Sequence, residues 1–421
     1  MNINMKAKVK YLLLYLVFFP VGIFTFSSIP NSSFFNEPNP LTSDYGVSCY
    51  NITQSVTYDV EINFTLTHHS GGGNYIFKFA RINNRVPNST FTRFTPPYQE
   101  SVLLYNNISG YNPTEIKIGH NDRFNNTYDL FNASLSSSEA VSLDQKYHVE
   151  LNAIKFQNID DPDIGTYDMS DEIFDLYCNH SEPYYERDDP SLISLSNSIV
   201  NPSDNPIEKA RKIYDWVSNH LSYNGNLPDQ EKGALWAYQN LEGDCSEFSS
   251  LMITLLRIQN IPARKVTGFL VSNNPSLRPS VGKTWNFYSS NIGTNVLGHA
   301  WVEYYVPEIG WIACDPTWDA NYFNKIDYLR FNVNVGANFF LPPSYIVSEF
   351  ANPMFVYNVG ASFDYNYNVK ITVIASNLAS IGNFPILFIV FIGIGVAAVF
   401  ITLLIIIKRS RKKKISYNYN Q

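Results

Sequence analysis

The stretch Gly243-Asp244-Cys245-Ser246-Glu247-Phe248 decides how this chain is read. Asp244 followed three residues later by Glu247 fits a capping box, and Phe248, Leu251, Met252, Leu255 and Leu256 continue from it as one apolar stripe. The spacing predicts a helix whose first turn carries Cys245. Unpaired backbone N–H groups and the helix dipole there favour a thiolate, and Gly243 leaves room for a substrate to approach the sulfur. Such a cysteine suits nucleophilic attack, provided a base is supplied.

The base is sought downstream. Gly298-His299-Ala300-Trp301-Val302-Glu303-Tyr304-Tyr305 reads as a strand and Gly310-Trp311-Ile312-Ala313-Cys314-Asp315 as the next, joined around Pro307. A hairpin symmetric about residue 307 sets Trp301 opposite Ala313 and His299 opposite Asp315. Opposed Cβ atoms lie about 4.5–5.5 Å apart, close enough for the carboxylate to accept the imidazole Nδ1–H and leave Nε2 to take the thiol proton. Cys245, His299 and Asp315 thus form a candidate catalytic triad. Cys314, next to Asp315, points to the opposite face and reads as core. Trp301 and Glu303 share a face with His299 as cleft or packing residues.

The segments GDCSEFSSLMITLLRIQNIPARKVTGF (243–269) and GHAWVEYYVPEIGWIACDPTWD (298–319) together resemble the transglutaminase-like superfamily. IYDWVSNHLSY (213–223) resembles the helix that precedes that core, so the likeness covers about residues 206–330. It implies a papain-type α+β core, a helix-borne Cys packed on an antiparallel sheet, with Cys245 as nucleophile, His299 as base and Asp315 as acid, and an upstream aromatic or amide side chain at the oxyanion or cleft, for which Trp236 or Gln239 are candidates. The implied reaction is acyl transfer on protein or peptide amides, with hydrolysis by a cysteine protease or amidase favoured over amine crosslinking. The competing class is a non-catalytic cell-surface recognition protein that uses the same domain as a scaffold.

Upstream, residues 48–160 carry short alternating runs, among them Val56, Tyr58, Val60, Ile62, Phe64 and Leu66 at period two, separated by Gly, Asn, Pro and Ser clusters. They predict an all-β, sandwich-like domain over 30–185. His68 and His69 adjoin on a strand and so face opposite sides, which argues against a shared metal site. After Asp188-Asp189-Pro190 the pattern turns helical, with Pro206 at a first helical position and Asp204 and Asn205 before it as cap candidates. The catalytic domain is expected over 186–345 and a juxtamembrane β-rich segment over 346–384.

The ends speak of a membrane. Residues 386–407 read ILFIVFIGIGVAAVFITLLIII and stop at a basic run; 22 residues at about 1.5 Å each span roughly 33 Å, enough for a hydrocarbon core. A transmembrane helix over 385–407 with a basic cytoplasmic tail, 408–421, follows from the retention of Lys and Arg inside. Residues 1–29 read as a signal peptide or N-terminal membrane anchor, giving one span or two, with the main domain outside the cell membrane. The formal net charge is −7. The two flanks carry nine of the positive charges, which leaves about −16 between them. That acidity excludes a nucleic-acid partner, since phosphate binding needs a basic footprint. The partners expected are a protein or peptide substrate and the lipid bilayer.

An exported location makes the sequons at Asn31, Asn51, Asn63, Asn88, Asn107, Asn125, Asn132 and Asn179 candidate glycosylation sites. It also makes a disulfide between Cys49 and Cys178 an expectation, because the pair would tie the start of the front domain to its end. No metal constellation, phosphate loop or repeat is visible, and no cofactor is expected.

Overall fold

A computed structural model describes residues 49–378, apart from 83, 86–95, 158, 160–162, 228–230, 319, 337–338, 342–344 and 348–353. The front half supplies β1 (Tyr50–Ser70), β2 (Asn74–Ala80), β3 (Gln99–Gly110), β4 (Thr114–Asn121), β5 (Thr127–Ser134) and β6 (Ala140–Phe156). Then come α1 (Glu172–Tyr177), α2 (Pro190–Ile199), α3 (Pro206–His220), β7 (Ser222–Tyr223), α4 (Ala234–Asn240), β8 (Glu242–Gly243) and α5 (Cys245–Ile258). The rest is strand: β9 (Ala263–Leu270), β10 (Thr284–Ser290), β11 (Gly293–Thr294), β12 (Gly298–Val306), β13 (Gly310–Cys314), β14 (Lys325–Ile326), β15 (Arg330–Val335), β16 (Phe339–Leu341), β17 (Tyr345–Val347), β18 (Met354–Tyr357) and β19 (Ser362–Ser376).

The period-two run of β1 buries Val56, Tyr58, Val60, Ile62, Phe64 and Leu66, as alternation on one sheet face requires. These side chains meet Tyr75, Phe77 and Phe79 of β2 and Phe131 of β5 in one core, with Phe64 4.9 Å from Phe79 ring to ring. Two sheets enclose it: β11-β10-β19-β1-β6-β14, with β3 also on β6, and β18-β2-β5-β4. Strands from the later sequence are therefore built into the front half. β19 pairs along most of β1, β10 pairs with β19, and β18 pairs with β2, so the expected juxtamembrane segment completes both sheets.

The second layer system is the antiparallel sheet β13-β12-β9-β15 with the helices against it. α3 starts on a capping box, Asn205 with Glu208, with Pro206 at its first position. Asp204 serves otherwise, accepting from Lys212 at 2.6 Å. The two systems share a boundary, where Phe331 of β15 and Phe269 of β9 join the sandwich core and Tyr58 donates to the Tyr328 carbonyl at 3.0 Å.

One expectation is corrected. All four cysteines are among the described residues and none is in a disulfide. Cys49 lies at the start of β1, where its carbonyl accepts from Gln157, whereas Cys178 closes α1 with its sulfur 3.7 Å from the Arg257 carbonyl; each thiol is buried where it stands. Among the described residues no helix is long and apolar enough to cross a membrane. The apolar segments within 1–29 and 385–407, like Asn31 and Asn88, lie outside the described residues. Of the other sequons, Asn51, Asn63 and Asn179 are exposed, while Asn107, Asn125 and Asn132 are half-buried.

Candidate active site

Cys245 opens α5. The Asp244 side chain accepts from the Ser246 N–H at 2.7 Å and Glu247 accepts from the Asp244 N–H at 3.0 Å, completing the capping box expected from D-x-x-E. The other Glu247 oxygen accepts from the Lys232 N–H at 2.8 Å, so the cap also pins the preceding loop. Gly243 has a local reason: a Cβ there would lie 2.4 Å from that of Glu247. Its missing side chain makes room for the cap, not for a substrate.

Behind the helix start runs β12. The Ala300 backbone N–H hydrogen-bonds to the Cys245 thiol, so His299 stands on β12 next to the residue that meets the sulfur. His299 is buried, and its Nε2 is 2.6 Å from Asp315 Oδ2. The ring nitrogen that meets the carboxylate is thus the other one from the expectation: Nε2, not Nδ1. The hairpin register explains this. Val302 pairs with Cys314 and Val306 with Gly310, so the hairpin is symmetric about residue 308, with Glu308 in a left-handed turn at φ 66°. A shift of two residues preserves the face but puts Asp315 beyond the end of β13, on a diagonal that the more distant ring nitrogen reaches.

Asp315 is fully buried and every lone pair is used. Oδ1 accepts from the Thr317 hydroxyl at 2.5 Å and its N–H at 3.2 Å; Oδ2 accepts from Arg330 Nη2 at 2.9 Å and Nε at 3.2 Å as well as facing His299. Burial alone would raise its pKa, but His299, Arg330 and these hydrogen bonds hold it well below the usual carboxylate range. α3 fixes the turn from behind: Tyr214 donates to the Asp315 carbonyl at 2.8 Å and Ser218 to that of Pro316 at 2.9 Å.

At the sulfur the balance differs from the expectation of a helix-stabilised thiolate. Burial, with the Asp244 carboxylate next, pushes the Cys245 thiol well up, and the Ala300 N–H only partly opposes them. The resting group is a thiol that needs a base.

The remaining candidates separate. Trp301 is buried, its ring 6.2 Å from that of His299 and nearly parallel to it. Glu303 is buried between two guanidiniums, Arg85 and Arg264, so it packs instead of lining a cleft. Cys314 is core, 3.9 Å from the Met252 sulfur. Trp236 and Gln239 sit on α4, Gln239 exposed, and among the described residues neither side chain hydrogen-bonds to Cys245. The residue missed was Tyr223. β7 runs parallel to β8 with Tyr223 beside Gly243, and the Tyr223 hydroxyl, partly desolvated and within electrostatic reach of Cys245, Asp244 and Asp315, is pushed up to about 12. It remains a hydrogen-bond donor at neutral pH. The signal was in the sequence: Tyr223 ends IYDWVSNHLSY, but only the pairing of two-residue strands brings it beside Gly243, two residues before Cys245.

Residues 193–316 match the family model of the Transglutaminase-like superfamily. The chain is 32% identical over 130 residues to the uncharacterized protein YebA of Bacillus subtilis, covering 30% of this chain and 17% of that one. It is 33% identical over 81 residues to a protein-glutamine gamma-glutamyltransferase of Pseudomonas aeruginosa, 19% of this chain and 11% of that one. The chain thus spans less than a fifth of the length of these two relatives. A solved structure of a proposed cysteine protease from Cytophaga hutchinsonii superposes with a TM-score of 0.50 at 18% identity, covering 78% of this chain and 94% of that one. Around the Cys245 helix and the β12–β13 hairpin, the chain carries a transglutaminase-like superfamily domain.

Proposed function

We propose that this chain is a thiol enzyme that transfers acyl groups from protein or peptide amides, with Cys245 as nucleophile, His299 as base and then acid, and Asp315 as the group that orients the imidazole. The observation that carries this reading is the buried 2.6 Å His299–Asp315 pair, set one residue from the Ala300 amide that bonds the Cys245 thiol. His299 takes the thiol proton, the thiolate attacks the amide carbonyl, and the imidazolium protonates the departing nitrogen, leaving a thioester. Water as the resolving nucleophile gives hydrolysis, the favoured outcome; a lysine amine gives crosslinking. Tyr223 is the proposed donor to the oxyanion, beside the Cys245 N–H. The domain is proposed to stand outside the cytoplasm, anchored through 385–407, in keeping with the basic flank at 408–414.

The test is incubation of the full-length chain with a protein substrate and a labelled primary amine. New termini that vanish in Cys245→Ala support hydrolysis, and amine incorporation makes the enzyme a crosslinker. Neither activity, with Cys245 alkylating no faster than a simple thiol, supports the scaffold reading instead. Tyr223→Phe is expected to lower kcat by about 10²-fold while the alkylation rate of Cys245 stays unchanged, because alkylation develops no oxyanion. Equal losses in both would remove Tyr223 from that role.

A further inference from the structure

Arg330 reaches the site from β15, the far edge of the sheet, and is 1% exposed at its side chain. Its Nε and Nη2 bond Asp315 and its Nη1 bonds Asp327 Oδ2, which also accepts from the Tyr322 hydroxyl at 2.7 Å. The rings of Trp318 and Tyr322 cover the guanidinium, at 4.8 and 4.7 Å from it. An arginine bonded to Asp315 alone would cancel the charge that an imidazolium at His299 needs. Asp327 changes the count, since two carboxylates against one guanidinium leave one surplus negative charge.

We propose that Arg330 and Asp327 are positioning residues that tune His299: the guanidinium holds Asp315 in place, and the Asp327 carboxylate returns to the cluster the negative charge that Arg330 would otherwise cancel. This rests on the reading of Cys245 and His299 as a proton-exchanging pair. In that exchange the proton moves from the Cys245 sulfur to the imidazole, no other bond changes, and the cation formed is matched by the cluster's surplus charge. The water-poor aromatic cover keeps that charge effective. Other charged or titratable groups around the pair and its cluster are Asp244, whose carboxyl burial and Glu247 push up to about 6, Glu247 itself, Lys265 of β9, Tyr223 of β7, Cys314 of β13, and Tyr58 and Tyr328 beside Asp327.

Removing a negative charge lowers the proton affinity of the pair as a whole, and removing a positive charge raises it. The experiment follows the rate of Cys245 alkylation by iodoacetamide against pH in the full-length chain. The midpoint is expected to fall by about one pH unit in Asp327→Asn, to rise by a similar amount in Arg330→Gln, and to return to the wild-type value in the double variant. A purely structural ion cluster would lower rates without opposite shifts, so unmoved midpoints overturn the proposal. Should Arg330→Gln not fold, the near-isosteric Asp327→Asn decides alone. Absence of labelling at Cys245 in the wild type at every pH would overturn the acyl-transfer reading too; labelling with unmoved midpoints overturns this proposal only.

Discussion

His299→Ala is expected to lower the rate of amide cleavage by about 10²–10⁴-fold, the range of general acid–base catalysis, with little loss of folded protein. Burial and Asp244 disfavour the Cys245 thiolate, so without an adjacent base the sulfur remains protonated at neutral pH. The loss should therefore appear in the alkylation rate of Cys245 as well as in turnover. Cys49, Cys178 and Cys314 are buried while Cys245 is half-exposed, so peptide mapping after brief labelling reads this one site. Raising the pH should recover part of the alkylation, because hydroxide then replaces the missing base. An unchanged rate in His299→Ala would mean that the two residues do not exchange a proton.

Glu303→Ala is expected to destabilise the fold by about 3–5 kcal/mol, measured by chemical denaturation of the full-length chain. Glu303 Oε1 and Oε2 accept from Arg85 Nη2 at 2.8 and 2.7 Å, and Oε2 accepts from Arg264 Nε at 2.8 Å, all at side chains nearly without exposure. Deleting the carboxylate strands two buried guanidiniums, one of which lies 3.7 Å from the Trp311 ring. The effect carries a pH signature. Burial opposes ionisation of Glu303, but the two arginines outweigh it and hold the carboxyl below its usual range. Its contribution is therefore fully present above the ordinary glutamate pKa of about 4.3 and is lost as pH falls through the depressed folded value. The stability difference between wild type and Glu303→Gln should close on that acid side. A loss under about 1 kcal/mol at neutral pH would show the Arg85–Glu303–Arg264 cluster to be energetically idle.

The legible parts of the site were those written within a few residues. The cap, the apolar stripe of α5 and the alternation of β12 and β13 put Cys245 and His299 on the elements expected and Asp315 on the expected side, one residue past the end of β13. The hairpin register was not legible, because Glu308 adopts a left-handed conformation that the residue types around Pro307 do not demand; the resulting shift of two kept the face and swapped the ring nitrogens. The segment 346–384 was readable as β-rich, but the pairing of its long strand β19 with β1 on one side and β10 on the other is chosen by burial across long stretches of chain. The same applies to Cys49 and Cys178, which end in different packing environments despite flanking one segment.

By itself the sequence determined the helix start with its cysteine, the alternating faces that bring a histidine and an aspartate to one side, and the strand-rich front half. Those follow from backbone periodicity and capping, which act over one to four residues. Only the tertiary structure decided which nitrogen meets Asp315, that Arg330 and Asp327 stand behind it, that Tyr223 pairs beside Gly243, and that Glu303 is clamped by Arg85. Each of these depends on the pairing of strands far apart in the chain, because charge and hydrogen-bond balance at a buried atom is set by whatever the fold brings within about 3 Å of it.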